Sequence, residues 1–182
     1  MDFRRGFKAD ANRIALRVRD KMGLRPVDPI DPVAICAFFE IELIKLSEHD
    51  GDCPFLGSDR SLFSAVTVPC GCLTAIVHND SHHPYRQRSN ICHELAHCFL
   101  GHRFTPPLTP TGERARDGGT EAEANFLAGA LLVPNEAANH IMLQDLVAAA
   151  QGIYGVSQQM LEYRLRVSGA QTIHKRRLAR AG

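Results

Sequence analysis

The chain has no apolar run approaching the ~18 residues that a membrane helix requires. Its opening stretch, MDFRRGFKADANRIALRVRD, carries basic residues but no apolar segment of the secretory kind. A formal net charge of +1 leaves no global field to draw the chain onto nucleic acid or a membrane, so neither partner is expected. There is no internal repeat and no low-complexity tract. Without a secretory signal, the six cysteines (Cys36, Cys53, Cys70, Cys72, Cys92 and Cys98) read as free thiols of a cytoplasmic protein in a reducing compartment.

What is present is ordinary for a globular protein: 182 residues, 45% hydrophobic and 23% charged. A chain of this length buries roughly two thirds of its unfolded surface and can build a core without disulfide staples. A single domain over 1–182 is expected.

Ala11, Ile14, Val18 and Met22 recur at helical spacing, and Gly23 offers a stop. Asp31 can cap a second helix that has Pro32 at its first position and runs to about Glu40. Ile41 to Leu46 alternates apolar and polar residues, as a half-buried strand does. After a polar loop around Asp50-Gly51-Asp52, two further strands are read at 61–68 and 73–78, joined through Pro69-Cys70-Gly71-Cys72. The three strands predict a small antiparallel sheet. Helices are expected near 88–101, 120–132, 134–150 and 157–167, which makes the class α+β. Residues 103–119 read as a long loop rich in Pro and Gly, of a length that is often functional. The basic tail from His174 to Arg180 reads as a solvated, frayed terminus.

His93-Glu94-Leu95-Ala96-His97 fits H-E-x-x-H on a helix. Residues four apart lie one turn apart on the same face, so both imidazoles can reach one ion. Glu94, turned by about 100° from His93, can instead take a proton from a water that zinc has acidified toward pKa ~7. The pentapeptide alone does not separate a zinc helix from a structural one. Leu95, Ala96, Phe99 and Leu100 would bury the other sides of the helix.

A third ligand decides. In H-E-x-x-H-x-x-G-x-x-H it is a further histidine, but here Leu100 and Arg103 stand where Gly and His are needed, and Gly101 and His102 are each displaced by one. A glutamate on a second helix is the alternative. Thr120 and Glu123 fit a capping box, which gives Glu123 a structural task. Glu121 lies four residues before Asn125 on one face, so Glu121 can ligate while Asn125 hydrogen-bonds a ligating histidine. The expected zinc ligands are therefore His93, His97 and Glu121, with Glu94 as the catalytic base. The chain then divides into a helical part at 1–40, a small sheet at 41–80, the zinc site at 85–134, and C-terminal helices with the basic tail at 135–182.

These residues resemble the ImmA/IrrE-like metallopeptidases of bacteria and their mobile elements. The resemblance spans most of the chain. It rests on Arg86-Gln87-Arg88, the run from His93 to His97, and Leu100-Gly101-His102. Its most specific part is Glu121-Ala-Glu-Ala-Asn125 leading into Leu131-Leu132-Val133-Pro134. Weaker echoes are Val27-Asp28-Pro29, Val156-Ser157 and Arg164-Leu165. Ser89-Asn90 depart from the usual aromatic and hydroxyl pair, and Cys92 and Cys98 replace commoner Ala and aliphatic residues. No ligand or base is lost. The resemblance implies a zincin-like, mainly helical fold and a zinc-dependent endopeptidase. It also implies a helix-turn-helix repressor of a prophage, mobile element or stress locus as substrate, hence a part in transcription regulation.

Tyr85, His102, His140 and Tyr154 are each open as a second oxyanion donor. The strand at 73–78 would bind an extended substrate if it formed a sheet edge. Two other functions compete: a zinc-stabilised binding protein of toxin–antitoxin type without turnover, and a hydrolase of small amides. An intact Glu94 favours the enzyme over the binder, because a structural site needs no base. Cys70-Gly-Cys72 with His82 and His83 reads as a turn rather than a second metal site. Cys92 and Cys98 read as packed thiols.

Overall fold

A computed structural model describes residues 3–48, 63–70, 73–102 and 118–181. The Asp50-Gly51-Asp52 loop, His49, Cys53, Gly71, Cys72 and nearly all of the 103–119 loop lie outside the described residues.

Helix α1 (Phe7–Lys21) buries Phe7, Ala11, Ala15 and Val18, one stripe at three- and four-residue spacing. It ends as expected at Gly23, whose φ of 71° lets Leu24 N–H reach back to Arg19 O at 2.9 Å. Helix α2 (Pro32–Phe38) is capped by Asp31, whose carboxylate accepts Val33 N–H. Glu40, expected as its last residue, instead sits at φ 55° and turns the chain into β1 (Ile41–Lys45).

Strands β2 (Ala65–Cys70) and β3 (Leu73–His78) pair antiparallel, with Cys70 opposite Leu73. β1 pairs with β3 in parallel, Ile41 opposite Thr74. The sheet is therefore mixed, in the order β1-β3-β2, and not antiparallel throughout. Alternation along a strand reports which face is buried, not strand direction; only the two-residue β2–β3 connection forces reversal. β3 is central, so the condition on which it would bind an extended substrate, a sheet edge, is not met.

Helix α3 (Pro84–Leu100) starts with Pro84 at its first turn and His83 Nδ1 accepting Tyr85 N–H. It buries Ile91, Cys92, Leu95 and Ala96, which turns His93, Glu94 and His97 outward. Helix α4 (Gly118–Leu132) is buried almost continuously from Ala122 onward, packed against α1 and α3. Two fully buried cations close its C-terminal end. Arg19 donates to Leu132 O at 3.3 Å, and Arg164 donates to Val133 O at 2.8 Å. Helix-end carbonyls have no partner within the helix, and both guanidiniums meet the negative end of its dipole. Burial lowers each arginine to about 10, still protonated at neutral pH.

The helix expected over 134–150 is two helices, α5 (Asn135–Leu143) and α6 (Val147–Tyr154). The break is Asp145 at φ 53°, which lets Leu146 N–H reach Ile141 O at 2.9 Å. An aspartate tolerates that left-handed turn without the glycine that would have marked it. Helix α7 (Gln158–Val167) is capped by Ser157, whose hydroxyl accepts Met160 N–H. The tail expected to fray forms α8 (Ala170–Ala181), anchored by buried Ala170 and packed on α5 and α7. Its Lys, Arg, Gln and Ala residues are strong helix formers. The α+β class and the mainly helical zincin-like fold stand as expected, with one core running from Phe7 in α1 through α3 and α4 to Leu165 in α7.

Candidate metal centre

The outward face of α3 and the first turns of α4 meet in one cluster. His93, His97 and Glu121 each offer a ligand atom, all within 4.8 Å of one another. His93 Nε2 and His97 Nε2 are 3.1 Å apart. The Glu121 carboxylate lies 3.4 Å from the first and 3.5 Å from the second. Zinc bonds of 2.0–2.1 Å in a tetrahedron imply ligand separations of ~3.3 Å. The His–His separation and the two carboxylate contacts, one from each Glu121 oxygen, lie near that value, so the donor set fits zinc.

The chemistry of the donors agrees. His93 donates its Nδ1 proton to Asn125 Oδ1 at 3.0 Å, and its Nε2 is the nitrogen that faces His97 and Glu121. Two ring nitrogens facing each other across 3.1 Å, beside a carboxylate, are satisfied by a shared cation. Burial first, and then neighbouring His93, hold His97 below its ordinary pKa and keep the ring neutral, as a ligand must be.

Glu94 stands on the same helix but outside the ligand triad. Thr67 Oγ1, from β2, donates to Glu94 Oε2 at 2.7 Å. Burial pushes up the pKa of the Cys98 thiol, one turn beyond Glu94, and Thr67 beside it lowers it. No pattern in the sequence marked Thr67, because it comes from a strand well before α3 and meets Glu94 only when β2 packs on that helix.

Glu123 faces away from the cluster, toward His102 Nε2 and Arg4 Nε at 3.6 Å each. Thr120 lies inside the first turn of α4 rather than before it, so it is not the cap of the expected capping box. His102 is drawn behind His97, with the two Nδ1 atoms 3.0 Å apart. Its one-residue displacement from the further-histidine pattern places it on the outer side of the ligand.

The other oxyanion candidates separate clearly. Tyr154 is buried and donates its hydroxyl to Val27 O at 2.8 Å, a structural bond. His140 lies on α5, which packs against α6, α7 and α8. Tyr85 sits two turns before His93, about 12 Å along the helix axis. His82 stands between Asn79 and Asn90, and His83 caps α3. Among the described residues, the His93, His97 and Glu121 group is the one metal-type cluster of three or more. Cys36 and Cys92 are buried free thiols, pushed up to about 12 by burial.

A helix-borne His pair completed by a glutamate from α4, on an α+β zincin-like fold, is a candidate metal centre of the metallopeptidase type. Residues 53–166 match the family model of the IrrE N-terminal-like domain, peptidase family M78, and the chain belongs to that family. No curated protein matches the chain. Family membership and the cluster together support zinc-dependent peptidase function in general.

Proposed function

We propose that the chain is a zinc-dependent endopeptidase that cuts a partner protein, and that residues 1–182 work as one metallopeptidase domain. The observation that carries this reading is the ligand triad with Glu94 beside it, oriented by Thr67 on β2. His93, His97 and Glu121 would hold the metal. When bound, zinc supplies a Lewis acid that polarises the scissile carbonyl and lowers the pKa of water.

Thr67 holds Glu94 through Oε2, and the carboxylate of Glu94 takes a proton from the attacking water. The water oxygen bonds to the carbonyl carbon, the carbon–nitrogen bond breaks, and Glu94 passes the same proton to the departing amine. Among the described residues no strand pairs with the outer edge of β2. That edge, and not β3, is where an extended substrate would add a strand beside Glu94. A polypeptide is thereby favoured over a small amide. A purely structural zinc site has no use for a carboxylate held in this way, which disfavours the non-catalytic binding reading.

The resemblance supports a helix-turn-helix repressor of a phage, mobile element or stress locus as the substrate, in the cytoplasm. No helix of the described residues is long and apolar enough to cross a membrane. Co-expression with a helix-turn-helix repressor from the same locus tests the proposal. Wild type should cleave the repressor and Glu94→Gln should not; cleavage by both, or by neither, overturns it.

A further inference from the structure

We propose that His102 is a positioning residue of this centre: it holds His97 in its metal-ligating tautomer and ties that ring to the Glu123–Arg4 pair. The inference rests on the metal-site reading above and extends it to the ring's other nitrogen.

The geometry begins in the backbone. Gly101 adopts φ 65° and ends α3, so that Gly101 N–H donates to Cys98 O and His102 N–H donates to His97 O, both at 3.1 Å. This helix stop places its last residue over the one five positions earlier, and an apolar pair usually fills that contact. Here the pair is His102 over His97, with ring centroids 5.0 Å apart and Nδ1 atoms 3.0 Å apart. Only one proton fits between two nitrogens at that separation. If His97 is to offer Nε2 to a metal, its proton is on Nδ1, and His97 donates to His102.

That assignment fixes the rest. With Nδ1 accepting, the proton of the His102 ring is on Nε2, the nitrogen that faces Glu123 Oε2 at 3.6 Å. Glu123 in turn faces Arg4 Nε at 3.6 Å from the segment before α1. The His102 side chain is 10% exposed, so water competes little for either nitrogen. The two ligands are thus held differently. His93 is held by an amide oxygen of Asn125, and His97 by an imidazole with a carboxylate behind it. Partners of this kind fix ring orientation and raise ligand basicity.

The test uses zinc alone as probe, on the full chain, by competition with a chromophoric chelator, and cobalt substitution as a spectroscopic readout. His102→Ala should bind zinc about 10- to 100-fold more weakly, with an altered cobalt spectrum. His102→Asn puts an oxygen near the Nδ1 position and should restore most of the affinity. His102→Gln puts its polar group near Nε2 and should not. Zinc affinity in His102→Ala equal to wild type overturns the proposal. Should the alanine variant fail to fold, equal affinities for the Asn and Gln variants overturn it. A wild-type chain that binds no zinc overturns the metal-site reading itself, and with it this proposal.

Discussion

The Thr67 hydroxyl donates to Glu94 Oε2 at 2.7 Å, so the sheet reaches the candidate base through one side chain. Thr67 is 8% exposed, which leaves that bond little competition from water. A hydrogen bond to a charged group contributes about 1.5–3 kcal/mol. Thr67→Val keeps the shape and removes the donor. We expect kcat to fall by about ten- to a hundredfold while zinc content stays at the wild-type level. Steady-state kinetics beside metal analysis checks this, and unchanged kcat would remove Thr67 from the mechanism.

Glu94→Gln should keep the metal and lose the reaction. The amide preserves size and the Thr67 contact but cannot take a proton. General-base loss of this kind costs about 10²- to 10⁴-fold. Peptide cleavage and zinc stoichiometry, measured on the same preparation, separate loss of chemistry from loss of metal.

Glu121 and Glu123 are two residues apart and should behave differently. Glu121→Ala removes one of the three candidate ligands and should abolish stoichiometric zinc. Glu123→Ala leaves the triad intact and should retain zinc with modestly weaker affinity, since it acts through His102. Loss of metal in Glu123→Ala alone would reverse the assignment.

Gly129 sits mid-helix in α4, where alanine would ordinarily gain about 1 kcal/mol of helix propensity. A Cβ there would lie 2.9 Å from Arg164 Cδ. Arg164 cannot swing aside, because its Nε and Nη2 are bonded to Val133 O and Asn135 Oδ1. Overpacking of this kind costs about 1–3 kcal/mol, so Gly129→Ala should lower stability despite the better helix former. Urea unfolding of the metal-free chain reads the sign directly.

His78, buried at the end of β3, has its pKa held below the ordinary histidine value of 6.5, with burial the largest cause. The folded state then resists a proton that the unfolded chain accepts. Between the folded value and 6.5 the unfolded state binds more protons, so stability rises with pH across that window. The contribution is complete above 6.5 and is lost as pH falls through the folded value. Unfolding free energies measured on the metal-free chain should drop through this range for wild type. The drop should be smaller in His78→Gln.

The sequence by itself determined the local terms. Spacing alone put His93 and His97 on one helix face. Asp31 and Gly23 announced their helix ends because capping and left-handed turns are short-range chemistry. Glu121 was distinguishable from Glu123 through its four-residue offset to Asn125, and that hydrogen bond forms with His93. Where a local rule was broken without its usual residue, the reading failed: Asp145 ended α5 with no glycine to mark it. The parallel pairing of β1 with β3 and the Thr67 bond to Glu94 were decided only by tertiary structure. Each depends on how separately formed elements come together in space. A periodicity describes a face and not what that face will meet.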